Sequence, residues 1–339
     1  MKKLLSLLLA TVLFATAFFS YGTASFATET TNDLGIRFGN SDTYYKYDGE
    51  TKTLYINGKG AVPDLSLNSS SIPWFDWESG TIQNVVVSEG ITSLGNNLFH
   101  NVDASSFSLP RTLKRIGKYT FASTSKMTSW DIPFGVEQID DKAFYNCFLL
   151  ESIHLPSTVK RIGEGAFYQC FTLESITIPS AVSFIGNKAF FDCKNLKEVN
   201  FSSMTQSVKL SQNAFLGCTS LKHVDVPMNA VCNSKSLGFS DAYKKVEGFT
   251  MGVYENSVSH SYAIGNGFDY TFLDSIPIKC GVEYANAFTE SNENDVFHYT
   301  FSTDKTQEYI LYSVGGCDTY GKLYLDGKLL AENDDIDKS

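Results

Sequence analysis

The side chains that most often do chemistry are present here, but not in the spacings that chemistry needs. The five histidines, His100, His154, His223, His260 and His298, include no His-Glu-x-x-His and no pair at metal-ligand spacing. No Gly-x-Ser-x-Gly elbow presents a serine nucleophile. Gly58-Lys-Gly60 and Gly265-Asn-Gly267 are short glycine turns without the rest of a phosphate-binding loop. Carboxylates are scattered. Seven cysteines could form disulfides or bind zinc, yet there is no Cys-x-x-Cys, and four of them recur at nearly constant intervals, Cys147, Cys170, Cys193 and Cys218. That regularity belongs to a structural repeat rather than to a reactive centre.

The repeat is explicit. One unit reads Leu150-Glu-Ser-Ile153-His-Leu155-Pro156-Ser-Thr-Val159-Lys-Arg-Ile162-Gly163-Glu-Gly-Ala166-Phe167-Tyr-Gln-Cys170, and the next carries Leu173, Ile176, Ile178, Pro179, Val182, Ile185, Gly186, Ala189, Phe190 and Cys193. A phenylalanine marks every unit at Phe99, Phe121, Phe144, Phe167, Phe190 and Phe215, with spacings of 22, 23, 23, 23 and 25 residues. Periods of this length identify stacked supersecondary units.

Each slot has a physical reading. Leu150, Ile153 and Leu155 carry an apolar alternation that fits a short strand with one buried face. Pro156 ends it, because proline cannot donate to a further ladder position. Val159, Ile162, Ala166 and Phe167 then return at near-helical spacing. Gly95, Gly117, Gly163 and Gly186 mark a turn where a side chain would crowd the chain; Asp140 and Ser211 replace that glycine in their units, and Ser202 replaces the proline. One coil cannot bury its apolar side alone, whereas stacked coils share a continuous core. Seven coils beginning near Ile82, with strands ~4.8 Å apart, give a parallel sheet about 30 Å long. The cysteine slot holds Val102 and Thr124 in earlier coils, so it reads as a small buried packing site with free thiols. Pairing between neighbouring coils stays open, since stacked equivalents lie near the Cα separation a disulfide allows. Cys232, Cys280 and Cys317 fall outside the pattern.

The pattern Leu-x-x-Ile-x-Leu-Pro-x-x-Val-x-x-Ile-Gly-x-x-Ala-Phe-x-x-Cys resembles the BspA-like, Treponema-type leucine-rich repeat of bacterial surface proteins. The resemblance implies an α/β-type repeat solenoid, a leucine-rich-repeat right-handed superhelix with one parallel strand per coil across residues 82–227. Residues 28–81 look like the segment preceding such repeats. Their Asp48-Gly49 suits a hairpin turn, and Trp74, Phe75 and Trp77 are expected to cover the open first coil. Residues 228–280 look like a closing unit, with a short helix from Ser257 to Ile264 stopped at Gly265. Residues 281–339 alternate like strands and resemble the start of a pre-peptidase C-terminal β-sandwich; at about 55 residues this is a partial domain, as a sandwich needs ~100.

Residues 1–27 read as a cleavable export leader: Lys2-Lys3, an apolar run from Leu4 to Phe19, and small residues around Ser25-Phe26-Ala27. The apolar run is short of the ~20 residues that cross a bilayer, so no membrane insertion is expected once the leader is gone. Net charge is −10, and without Lys2 and Lys3 it becomes −12, from 25 basic and 37 acidic residues. Such a surface repels phosphate backbones and anionic lipid, which argues against nucleic acid as a partner.

The expected partner is an extracellular protein or glycan, and no cofactor or enzymatic activity is expected. Two surfaces are candidates. The solvent face of the strands should align Ser108, Asp131, His154, Thr177, Asn200 and Asp225 as a polar ladder, unless it is an ordinary solvated face. Tyr145, Phe148, Tyr168, Phe171 and Phe191 should form an aromatic patch, or else pack between coils. Lys114-Arg115 and Lys160-Arg161 read as solvated. Asp318, Asn333, Asp334 and Asp335 offer clustered oxygens of the kind calcium takes, although acidity on a frayed end explains them equally. A non-catalytic accessory piece of a secreted hydrolase is the alternative to an adhesion protein.

Overall fold

The computed structural model describes residues 35–202 and 207–273, with the strand backbones of 275–277, 298–300, 321–325 and 328–333. The leader at 1–27, Cys280, Cys317 and the residues 309–313 lie outside the described residues. Of the acidic C-terminal cluster only the backbone of Asn333 is described.

The chain starts with an antiparallel hairpin, Thr43–Asp48 against Thr53–Gly58, edged by Ile36–Arg37. Asp48 Oδ1 accepts the Glu50 N–H at 2.9 Å, and Lys52 takes a left-handed φ of 53°, which together close the turn. The strand Thr53–Gly58 then pairs in parallel with Asn84–Val87, so that Leu54, Ile56, Val85 and Val87 share one buried face. Trp74 covers the first coil: it is buried, its Nε1–H donates to the Leu98 carbonyl at 3.1 Å, and its ring stacks 6.4 Å from Phe99. Trp77 packs edge-on against Tyr47. Phe75 does not join them and is 42% exposed. The turn closed by Phe75 N–H to Ile72 O sends Ile72 and Trp74 inward and leaves the intervening direction to solvent.

The middle of the chain is a solenoid of parallel strands, two to a coil. In the unit quoted above, Ser152–His154 points Ile153 inward and Ser152 and His154 outward, and Arg161–Ile162 buries Ile162. The second strand builds the long sheet: Gly60–Ala61, Ile91–Leu94, Arg115–Ile116, Gln138–Ile139, Arg161–Ile162, Phe184–Ile185, Val208–Leu210 and Ala230–Cys232 form one eight-stranded sheet. Ile116, Ile139, Ile162, Ile185 and Leu210 sit side by side in it. The first strand, expected to be the continuous one, instead makes separate short ladders, such as Ser129–Asp131 with Ser152–His154 and Ser175–Ile178 with Glu198–Phe201.

The return that spaced like a helix is not helical. The one helix among the described residues is Val258–Asn266. Each coil places two left-handed residues four apart, at Asn97 and Asn101, Tyr119 and Ser123, Lys142 and Asn146, Gly165 and Gln169, Lys188 and Asp192, and Asn213 and Gly217. A left-handed residue ends right-handed helical winding, so the chain turns twice and brings Ala166 and Phe167 inward. Backbone bonds still run from coil to coil there: the N–H groups of Phe121, Phe144, Phe167 and Phe190 donate to the carbonyls of Ala143, Ala166, Ala189 and Ala214 at 2.7–2.8 Å.

These constraints stack the six repeat phenylalanines into one column. Successive centroids from Phe99 to Phe215 are 5.6, 5.3, 5.2, 5.1 and 4.8 Å apart, all stacked and all buried. The glycine corner follows from the same stacking. A Cβ on Gly163 would lie 2.5 Å from the Asp140 carbonyl carbon, and one on Gly186 would lie 2.5 Å from the Glu164 nitrogen. Asp140, which holds that slot in its own coil, is buried and ion-paired to Arg115 at 2.6 Å.

At the far end, strands Thr250–Val253 and Asp269–Phe272 continue in parallel from His223–Asp225. Ser257 caps the intervening helix by accepting the His260 N–H at 3.0 Å. The helix runs through Gly265 and stops two residues later than expected, at Gly267, whose φ of 61° is left-handed and whose N–H reaches the Ala263 and Ile264 carbonyls. Tyr262 docks it on the last coil, donating to the Leu237 carbonyl and accepting the Leu237 N–H. Beyond it, Ser275–Pro277 pairs with His298–Thr300 and Gly321–Leu325 with Lys328–Asn333.

Two stability predictions follow from the coil. Phe167→Ala should cost about 3–5 kcal/mol in denaturant unfolding, as for other buried rings; a loss under about 1 kcal/mol would remove this ring from the core. Gln169→Gly should stabilise by about 0.5–1 kcal/mol, because the left-handed penalty of an L-residue exceeds the entropy cost of glycine. An unchanged or lowered unfolding midpoint would contradict that strain.

Candidate functional site

The strand face carries the expected polar residues, and all six, Ser108, Asp131, His154, Thr177, Asn200 and Asp225, are exposed. They do not form one hydrogen-bonded ladder. Asp131 lies beside His154, and Thr177 beside Asn200, while Ser108 pairs with Val86 and Asp225 with Gly252. The sequence reading missed the second outward row on these strands, Ser106, Ser129, Ser152 and Ser175. Its signal was available: each precedes the buried strand residue by one, as the two-residue period of a strand demands.

Together the rows line an open trough of about 350 Å³, walled by Ser129, Asp131, Ser152, His154, Ser175 and Thr177. A second depression of about 430 Å³ adjoins it, with Phe134, Leu155, Pro156 and Pro179 on its wall. His154 borders both. Phe134, on the wall of the second depression, is 69% exposed. One half of the surface therefore offers hydroxyls, a carboxylate and an imidazole, and the other an apolar shelf. That combination is suited to holding a ligand by hydrogen bonds and ring contacts.

One hydroxyl–imidazole–carboxylate line does occur. His223 Nδ1 meets Thr250 Oγ1 at 2.7 Å, and its Nε2 meets Asp225 Oδ1 at 2.8 Å. The side chains of His223 and Asp225 are 48% and 64% exposed, so solvent competes for both groups. The arrangement orders the last strands across two coils and removes Asp225 from the free ladder.

The aromatic candidates pack between coils. Tyr145 stacks on Tyr168 at 4.9 Å and Tyr168 on Phe191 at 4.7 Å, with Tyr119 edge-on at the end of the row. Phe148 stacks on Phe171 at 5.7 Å. Lysines cover the rings: Lys142 Nζ donates to the Tyr119 hydroxyl at 2.8 Å, Lys188 lies over Phe191 and Lys194 over Phe171. The faces of the central rings are thus taken by one another, and mainly ring edges reach solvent. At this corner Phe148 and Leu149 stay exposed, at 40% and 49%.

The basic spots are partly engaged. Lys160 pairs with Glu137 at 2.7 Å, Arg115 with Asp140, and the Arg161 guanidinium lies 4.2 Å from the Phe184 ring. Cys147, Cys170, Cys193 and Cys218 are buried free thiols that donate to the carbonyls of Phe121, Phe144, Phe167 and Phe190 at 3.1–3.3 Å. Burial pushes the Cys170 and Cys193 thiols well above the usual thiol range and Cys232 up to about 12. Protonated and enclosed, Cys170 and Cys193 are poor nucleophiles at neutral pH. Among the described residues, no group of three or more His, Cys, Asp or Glu side chains is placed to hold a metal.

Stacked parallel coils, a phenylalanine column and an unenclosed polar strand face define a leucine-rich-repeat solenoid. The sequence profile of the BspA-type leucine-rich repeat region matches in six copies over residues 68–170 and 137–250, more than half of the chain. The chain belongs to the BspA-type leucine-rich-repeat family. Among solved structures it is similar to a T. pallidum leucine-rich-repeat protein, at 20% identity over 53% of this chain and 88% of that one, with a TM-score of 0.43. A Bacteroides ovatus leucine-rich-repeat protein is 14% identical over 70% and 100% of the two chains, TM-score 0.27. A leucine-rich cell surface protein of Faecalibacterium prausnitzii is 17% identical over 70% and 98%, TM-score 0.23. No curated protein matches the chain.

The two candidate surfaces separate by stability. Tyr168→Ala should lower unfolding stability by about 1–2 kcal/mol, since it removes a ring stacked on both sides. Thr177→Ala should stay within about 0.5 kcal/mol of the parent, as for an exposed surface substitution. Equal effects in thermal unfolding would remove the distinction.

Proposed function

We propose that this is an exported, non-catalytic binding protein of a bacterial surface, which holds an extracellular protein or glycan on the strand face around His154. The observation that supports this reading is the trough itself: exposed hydroxyls of Ser129, Ser152, Ser175 and Thr177 stand in rows beside Asp131 and His154, next to the apolar shelf of Phe134 and Pro156. Rows repeated at the strand spacing suit a ligand that is itself extended and repetitive. Export rests on the basic, apolar and small-residue order of the first 27 residues. The absence of enzymatic function rests on the openness of this face, where no reacting group is shielded from water, and on the lack of a recognised catalytic spacing in the sequence.

A panel of immobilised glycans and extracellular-matrix proteins, probed with the full chain, tests the reading. The triple variant Asp131→Ala, His154→Ala, Thr177→Ala should lose at least about tenfold in apparent affinity with its thermal midpoint unchanged, the scale of one to two lost surface anchors. Loss of binding in Phe148→Ala but not in the triple variant would move the site to the aromatic corner. Turnover of a panel member would overturn the non-catalytic assignment.

A further inference from the structure

The buried thiols are chemistry that binding does not use. They sit on four consecutive coils in one slot, and none is disulfide-bonded. Their contacts are close and directional. Thr124, which occupies the slot one coil earlier, lies with its Oγ1 3.3 Å from Cys147 Sγ, so side chains of this slot touch across the coil boundary. Each thiol also leans toward the preceding coil, where it meets the phenylalanine carbonyl. In a row of four joined only between adjacent coils, all four thiols are consumed in one way, Cys147 with Cys170 and Cys193 with Cys218. Coils stacked at ~4.8 Å fall inside the Cα window of roughly 4.4–6.8 Å that a disulfide spans.

We propose that the row is a latent cross-linking site, in which oxidation joins Cys147 to Cys170 and Cys193 to Cys218 across adjacent coils. Hydrogen peroxide, or an oxidant of that class, supplies the acceptor. A thiolate sulfur attacks one peroxide oxygen; the S–O bond forms, the O–O bond breaks, and hydroxide leaves to become water with the proton the thiol gave up. The neighbouring thiol sulfur then attacks the sulfenic sulfur; the S–S bond forms, the S–O bond breaks, and a second water leaves with the remaining proton. Two sulfurs are oxidised by one electron each, and one peroxide is reduced to two waters. Burial keeps Cys170 and Cys193 protonated, so the reduced row persists until a coil opens enough to admit the oxidant. Each bond then closes one coil upon the next, at the centre of the solenoid.

The test uses the reduced full chain, treated with hydrogen peroxide under native conditions, alkylated, and digested with trypsin. Cleavage at Lys142, Lys160, Arg161, Lys188, Lys194, Lys209 and Lys222 puts each of the four cysteines on its own peptide. The expected cross-links pair 143–160 with 162–188, and 189–194 with 210–222, at least about tenfold more abundant than any Cys170 to Cys193 link. Cys170→Val uses a residue that Val102 shows the slot accepts; it should leave Cys147 alkylated and the Cys193 to Cys218 link intact. Oxidation should also raise the denaturant midpoint in a way that reducing agent reverses. Predominant Cys170 to Cys193 pairing, sulfinic acid in place of cross-links, or four alkylated thiols after prolonged peroxide would each overturn the proposal.

Discussion

A coil of about 23 residues cannot bury its own apolar side, so every turn of this molecule is stable only because the next lies on it in register. The column from Phe99 to Phe215 shows how tight that register is, with rings stacked 4.8–5.6 Å apart along six coils. The glycine corner, the left-handed pairs and the thiol slot are all consequences. Gly163 and Gly186 exist because neighbouring backbones approach closer than a methyl group allows. The thiols fit because a small side chain with a donor can serve the phenylalanine carbonyl of the coil before it.

The sides of the coil divide the work. The row containing Ile116, Ile139, Ile162 and Ile185 carries an unbroken eight-stranded sheet, and its continuity fixes the stack. The strand face of Asp131 and His154 is broken into short ladders and leaves its outward residues uncommitted. Substitutions at Ser152 or Thr177 touch no other coil's core. The residues of this face can therefore change without disturbing the fold.

Much of this was legible before the coordinates. Ile153 between outward Ser152 and His154 declares a strand, and the even recurrence of Phe144, Phe167 and Phe190 declares a stack, because burial acts on residue type and spacing directly. The second strand and the missing helix were not legible. Val159, Ile162, Ala166 and Phe167 have the spacing of a helical face, yet Lys142, Lys188, Gln169 and Tyr119 adopt left-handed backbone that their residue types disfavour. Tertiary stacking imposes it, and a period cannot reveal it. Gly267 rather than Gly265 ends the closing helix because only Gly267 takes the left-handed backbone, at φ 61°, that closes the cap; two glycines in sequence do not say which. On the candidate site, the outward placement of Asp131, His154 and Thr177 was legible, but the aromatic patch was ambiguous: Tyr145 and Tyr168 look the same in sequence whether they face solvent or one another.

The coil-to-coil hydrogen bonds of the parallel sheets and of the turns between them cross from one coil to the next, so in the solenoid they run broadly along its axis. Tension applied to the two ends would load them in an opening geometry, a few at a time, rather than in shear all together. A solenoid of this kind pays out chain by peeling terminal coils, each releasing a length of roughly 80 Å when fully extended. Pulled from both ends, it would lengthen in steps under load, while coils still stacked keep their shape.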